Sequence, residues 1–591
     1  MPSIRHLMVA LLLCAAPALA ATPDPTATQA LHALFDRSWQ AGAERYPEWS
    51  TYRGDNRYND RLNDVSPAAR AQDLARTREE LAAARAIAAD RLAPADRVSQ
   101  DMFIRGRERH LAFEAFEGYQ LMGIGSNGGT QSELSSLLRV VPMARVEQAE
   151  QLLKRLAAVP QRMDQEIANL RRGMSLGYVP PRTVLERALA EIDAQLPADL
   201  EAGPFYAPFK RLGRDIDEAE RKRLQALGRE AVQRDVLPAM RKLRAFVAGD
   251  YLAHAPAEGA LLRYPDGARL YDELVRQQTT THLSAAEVHA IGLRELARLR
   301  SEMEAVMREL KFAGDFAAFI QHLNTDPRFF YKDAEAFLAG YRDITKRIDA
   351  ELPRLFAELP RAPYGVKAMP SQFGPDRAEF YERPAIDGSR AGYFNANALG
   401  FAKRPIWGMA SLAAHETVPG HHLQIARALE LRNLPEFRRG GYGYTAFVEG
   451  WALYAETLGN EIGLYADPYS RFGHLQWQAL RAARLVVDTG IHAQGWSRSR
   501  AIEYMVERTG IERGIISSEV DRYTSDPGQA LAYMIGQLKI IELRERARTR
   551  LGPRFDIRQF HNAVIDNGAL PLTTLEALID EWIGGQAARA G

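Results

Sequence analysis

The stretch SAAEVHAIGLRELARLRSEMEAVMREL, residues 284–310, decides the fold class. Ser284 and Glu287 stand three apart, the spacing of a capping box, and Val288, Ile291, Leu296, Leu299, Met303 and Val306 recur behind them at helical intervals. The same periodicity runs through 68–90, 147–173 (kinked at Pro160), 216–248 and 333–352, and returns at 472–488, 528–549 and 573–583. Alternating β-branched runs are scarce, and no repeat of fixed period occurs. The expected fold class is mostly α.

One stretch breaks the pattern. Residues 353–407 carry Pro353, Pro360, Pro363, Pro370, Pro375, Pro384 and Pro405, and within them Gly392-Tyr393-Phe394-Asn395-Ala396-Asn397 reads as a short extended segment. The expected division is a helical N-terminal region over 21–390 and a site-bearing region over 391–591.

The whole chain of 591 residues corresponds to roughly three to four average domains and buries a core without staples. Lys and Arg number 76 against 75 acidic residues, so a net charge of +1 supplies no field for nucleic acid or an anionic membrane. Neither partner is expected. Arg5 and His6, the apolar run Leu7 to Leu13 and the small-residue site Ala18-Leu19-Ala20 read as a secretory signal peptide over 1–20, which places the mature chain outside the cytoplasm, in the periplasm. No later run approaches the roughly 18 apolar residues of a membrane span. The single cysteine, Cys14, lies inside the signal and follows Leu13 rather than a small residue, so release is expected rather than a lipid anchor. A mature chain without cysteine excludes thiol nucleophiles and leaves any metal to His and carboxylate.

Three of thirteen histidines fall within His415-Glu416-Thr417-Val418-Pro419-Gly420-His421-His422. A His-Glu pair opening a helix, with another His following, is how two imidazole ligands are combined with a carboxylate base at zinc, and the run before it, Ile406 to Ala414, is apolar and small. The regular motif has its second His four residues on, where this chain has Pro419. On an ideal helix His421 lies about 120° from the His415 face and His422 about 20°, yet His422 sits about 10.5 Å along the axis, far for shared ligation at about 2.1 Å. Pro419 forces a bulge or break that Gly420 absorbs. His421 is the preferred ligand, with His422 as a neighbouring support or substrate contact. In Phe447 to Glu456, Glu449 and Glu456 share a helix face among apolar residues, and a buried carboxylate must be paired or bound to metal. Glu449 is the expected third ligand. Glu456 either orients a ligand histidine or pairs with a core arginine such as Arg481 or Arg484.

His415 to Gln424, Glu449-Gly450-Trp451-Ala452 and Asp526-Pro527-Gly528-Gln529-Ala530-Leu531-Ala532-Tyr533 together resemble a widespread bacterial family, domain of unknown function 885. That family in turn resembles the gluzincin peptidases: thimet oligopeptidase, the angiotensin-converting enzyme and the thermostable carboxypeptidases. The resemblance implies a two-lobed helical fold with a small β-sheet lining a deep cleft, a Zn²⁺ cofactor and a peptide substrate. It implies Glu416 as general base, Tyr533 as donor to the oxyanion with Tyr523 as competitor, and His492 as a contact for substrate carbonyls. The segment around Tyr393 and Asn395 is expected to take extended peptide by strand addition. Gly440-Gly441-Tyr442-Gly443-Tyr444 reads as a loop near the motif helix.

A nucleophile elbow and a dinucleotide fingerprint in strand context are both missing. Two His and one carboxylate also suit Fe(II), but an oxygenase has no need of a base directly after a ligand His. A metal-dependent peptide binder without turnover, and a metallohydrolase of a non-peptide amide, are the alternative readings. Oligomeric state is not encoded in these features.

Overall fold

Ser284 caps the helix Ala285–Glu309 as its sequence demands: its hydroxyl accepts from the Glu287 amide, and the Glu287 carboxylate accepts from the Ser284 amide. The computed structural model describes residues 23–588 except 127, 371–373, 376, 386–387, 389 and 440–442. The signal-peptide and release readings, and most of the 440–444 loop, lie outside the described residues.

The chain is mostly helical with two small sheets. The 333–352 and 472–488 patterns appear as Ala334–Leu355 and Pro468–Gln494. The 147–173 pattern divides just before Pro160 into Val146–Ala157 and Val159–Ser175, because proline is accepted in a first helical turn and not inside one. The 216–248 pattern carries a wide turn at 232–236 between Glu218–Ala231 and Leu237–Phe246.

Three buried apolar clusters hold these helices. The largest joins residues 260–356 to residues 394–583. A second gathers 124–251, and a small third draws on 27–103. One buried cluster thus runs across the division expected at residue 390. The contact between Ala285–Glu309 and Pro468–Gln494 shows why. A Cβ on Gly292 would stand 2.8 Å from Leu485 Cβ and from Val486 Cγ2, so the two long helices meet at van der Waals distance across that boundary.

The proline-rich stretch folds as a three-stranded sheet. Tyr364–Ala368 runs parallel to Gly392–Ala396, which pairs on its other side, antiparallel, with Phe380–Glu382 in the register Phe380↔Asn395 and Glu382↔Tyr393. The extended segment read from sequence is thus the central strand, with Phe394 fully buried against Tyr341.

Candidate metal centre

The motif helix Ile406–Glu416 is buried along its length from Trp407 onward, and it stops at Glu416. The next helix, His421–Glu430, starts after a break at 417–420, stitched by the Thr417 amide to Ala413 O and the His422 amide to Thr417 O. A Cβ on Gly420 would lie 2.0 Å from His415 O and 2.5 Å from Ala414 O, so only glycine lets the second helix begin against the end of the first. Trp451 Nε1 donates to Pro419 O at 2.9 Å and pins the break to the glutamate helix Thr445–Thr457.

That break turns His421 toward His415. The ring centroids lie 4.8 Å apart and nearly perpendicular. Glu449 Oε2 lies 3.5 Å from His415 Nε2 and 3.3 Å from His421 Nε2, and ligand atoms of all three residues fall within 4.8 Å of one another. The Oε2 atom is buried with no hydrogen-bond partner. Burial opposes the Glu449 charge, yet the two imidazoles hold its carboxyl well below the usual range. A buried carboxylate oxygen without a donor, facing two ring nitrogens, fits a divalent cation. Both imidazoles are braced. Glu456 Oε1 accepts from His415 Nδ1 at 2.8 Å, which fixes the tautomer with a bare Nε2. Ser411 donates to the other Glu456 oxygen at 2.6 Å, and Arg481 Nη2 lies 3.5 Å from Oε1. Both readings of Glu456 thus hold together, with Arg481 as the arginine. Gln424 Nε2 lies 3.0 Å from His421 Nδ1 and donates to Val448 O at 2.8 Å, tying that ring to the glutamate helix.

The trio borders a cavity of about 370 Å³ that Glu416 and Tyr533 also line. Burial, reinforced by the Glu449 charge, pushes the Glu416 carboxyl up to about 8 against the pull of His421 and Arg481. Tyr533 stacks on His415 at 6.4 Å between ring centres, with Gln529 Nε2 at 3.5 Å from its hydroxyl. Burial and then Glu449 raise its pKa, so the phenol stays neutral.

Five other expected residues lie elsewhere. His422 donates from Nε2 to Ala362 O (3.0 Å) and accepts at Nδ1 from the Tyr381 hydroxyl (2.8 Å). Burial pushes it down to about 4, so it is a neutral strut between the second helix and the sheet, not a substrate contact. His492 is fully buried, accepting from the Leu261 amide and donating to Tyr523 O, away from the cavity. Tyr523 is fully buried too, and its hydroxyl accepts from Arg484 and donates to Glu519. Tyr393 and Asn395 sit on the central strand, whose two edges are already paired, so strand addition there is ruled out. The strand bordering the cavity is the edge strand Phe380–Glu382, through Phe380 and Tyr381.

Sequence reading passed over the residues that set this edge. Asn397 Nδ2 reaches the carbonyls of Gly374, Pro375 and Arg377, and Arg404 donates to Pro375 O and Arg377 O and pairs with Glu379. It also passed over the cavity arginines Arg377 and Arg522, and named Arg481 and Arg484 only as partners for Glu456. Arg522 lies inside a helix, where it reads as an ordinary solvated charge, and no spacing rule marks either residue.

Residues 47–579 match the family described as "Bacterial protein of unknown function (DUF885)". The chain belongs to that family. This DUF885 protein is also similar to two solved structures. One, described as a "putative lipoprotein" from Colwellia psychrerythraea, is 27% identical with a TM-score of 0.89, covering 95% of this chain and 99% of that one. The other, a "putative lipoprotein of unknown function" from Shewanella oneidensis, is 18% identical with a TM-score of 0.73, over 94% and 100%, and shares the fold. A "putative oligoendopeptidase F" from Bacillus anthracis str. Ames aligns at 12% identity over 87% and 96%, with a TM-score of only 0.28, too low to bear on this chain. Among curated proteins none matches. Among the described residues of this DUF885 protein, no helix is long and apolar enough to cross a membrane.

Proposed function

We propose that this chain is a zinc-dependent peptidase of gluzincin type, acting on short peptides in the bacterial envelope. The observation that carries the reading is the unpartnered Glu449 Oε2 between two imidazole nitrogens, with the Glu416 carboxylate on the same cavity. His415, His421 and Glu449 would hold the ion, which supplies a Lewis acid that polarises a carbonyl and acidifies water. Glu416 takes the proton of the attacking water and returns it to the leaving amine, a task suited to a carboxyl whose affinity for protons is raised by burial. The neutral Tyr533 hydroxyl donates to the oxyanion as charge develops on it. The edge strand Phe380–Glu382 borders the cavity through Phe380 and Tyr381, which puts extended backbone beside the site. A cavity of about 370 Å³ suits short chains over folded proteins. The envelope placement rests on the signal-like segment at 1–20 and on the lipoprotein descriptions of the two similar structures.

The test is to load wild type and Glu416→Gln with zinc, measure bound metal, and digest a peptide library read by mass spectrometry. Equal metal in both, with cleavage only by wild type, is the expected result. Turnover by Glu416→Gln at the wild-type rate would overturn the assignment of the base. Peptide binding without cleavage by wild type would favour the non-catalytic binder.

A further inference from the structure

A second and larger cavity, of about 910 Å³, is built chiefly by the first helices of the chain, Pro25–Arg45, Pro67–Arg85 and Pro94–Ala112. Its wall is aromatic. The rings of Phe35, Phe103 and Phe437 stand 4.9 to 5.7 Å apart, and Trp39 meets Trp49 at 5.7 Å. The ions set among these rings are already paired: Asp73 accepts from the Tyr46 hydroxyl and pairs with Arg76, and Glu80 pairs with Arg107 at 2.6 Å. The remaining basic residues of the wall, Arg109 and His110, are exposed to solvent. An aromatic wall with its charges matched suits an uncharged, flat group.

Two glycines keep this chamber open. Gly42 and Gly106 line it from inside helices, and a Cβ on either would meet no atom within 4 Å. Glycine weakens a helix interior relative to alanine, and neither position gains a close helix crossing in return, as Gly292 does. What they leave is room. Asp526 joins the chamber to the metal centre, since it lines both cavities. Gln278 lines the chamber nearby, its Cγ 3.6 Å from where a Cβ on Gly528 would stand. Neither side chain has a hydrogen-bond partner among the described residues, which leaves a carboxylate and an amide to meet the main chain of a passing peptide. We propose that the chamber holds an aromatic side chain of the substrate, carried on an extended chain that runs past Asp526 from the metal centre. This rests on the peptidase reading and adds a side-chain preference at a fixed distance from the cut.

The test uses octapeptides of alanine and serine in which one phenylalanine is moved position by position, with the phenylalanine-free parent as reference. Binding is read by calorimetry on zinc-loaded Glu416→Gln, and products of wild type are read by mass spectrometry. The best-placed phenylalanine is expected to lower Kd about tenfold against the parent, given what burying a ring contributes over a methyl group. The cut should move along the chain with the phenylalanine, at constant spacing. Gly42→Phe and Gly106→Phe, each added to Glu416→Gln, put a ring into the open chamber. Both should keep metal content and stability while phenylalanine and parent peptides come to bind within about twofold of each other. Should one fail to fold, the other and the wild-type products decide. Cuts indifferent to phenylalanine, or a preference that survives filling, would overturn the chamber and leave the peptidase standing. Phenylalanine-dependent binding that filling abolishes, with no peptide cut by zinc-loaded wild type, would keep the aromatic site and take down the peptidase reading.

Discussion

Glu456 settles the orientation of His415 from a position where it touches no cavity, accepting from Nδ1 with one oxygen and from Ser411 with the other. Changing it to Gln keeps the shape but removes the charge that makes the imidazole a stronger ligand. Glu456→Gln is expected to weaken zinc affinity about 10- to 100-fold, read by competition with a chromogenic chelator; an unaltered affinity would mean that the contact is only packing. The paired histidines separate in the same assay. His421→Ala should lose the metal, whereas His422→Ala should keep it while losing about 1–3 kcal/mol of stability, because two buried hydrogen bonds go unmade. Metal content and denaturant midpoint, measured on both variants, check this; loss of metal from His422→Ala would reverse the assignment. At this scale the sequence is legible where chemistry is contiguous. His415, Glu416 and His421 stand within seven residues, and Pro419 with Gly420 marks the break between the helices that carry them. His422 and His492 misled because a buried, neutral, doubly bonded histidine has the same letter as a functional one.

Helices bring Glu449 and Tyr533 together, and two glycines permit it. A Cβ on Gly450 would stand 2.4 Å from Gly536 Cα, and one on Gly536 would stand 1.9 Å from Ala446 O. The glutamate helix Thr445–Thr457 and the tyrosine helix Ala532–Leu551 therefore cross backbone to backbone, at Gly450 directly beside Glu449 on the first and about one turn from Tyr533 on the second. Gly536→Ala must part them. The expected cost is about 1–3 kcal/mol of stability, accompanied by a fall in zinc affinity, since Glu449 moves with its helix. Full stability and affinity in that variant, by denaturant titration and chelator competition, would show that the crossing is not what sets the site. Helix existence was readable from 3.6-residue periodicity, and the Ser284–Glu287 box gave one start to the residue. Pairing of helices was not readable, since a glycine inside a helical pattern does not name what approaches it. Strand order was likewise hidden: nothing in Gly392–Asn397 tells a central strand from an edge, and that distinction decides which strand is left to meet a ligand.

The molecule as a whole hides titratable groups in its main core, and their balance fixes how it responds to acid. Burial pushes His474 and His492 down to about 4 and His561 to about 3, against the upward pull of the bonds that His492 and His561 donate to Tyr523 O and Leu355 O. Asp488 moves the other way, up to about 7 by burial, despite accepting from the Tyr271 hydroxyl and the Gly528 amide. A histidine whose folded pKa lies below its unfolded value of about 6.5 stabilises the fold above that pH, and this is lost as pH falls toward 4. Asp488, with a folded value above its unfolded one, has the opposite sign: it gains as pH falls from 7 toward 4. Among these four groups, unfolding between pH 6.5 and 4 therefore takes up a net two protons, three by imidazoles against one released from Asp488. These four groups together are thus expected to contribute a loss of about 2.7 kcal/mol per pH unit across that window in the metal-free protein. His561→Asn tests the sign as well as the size. It should be less stable than wild type at pH 7, because its two buried hydrogen bonds are disturbed, yet its stability should fall with acid by about one proton less, near 1.4 kcal/mol per pH unit. Denaturant midpoints measured from pH 4.5 to 7.5 on metal-free wild type and variant give both slopes. Parallel slopes would mean that His561 titrates alike in folded and unfolded chains, and that the core does not hold it neutral.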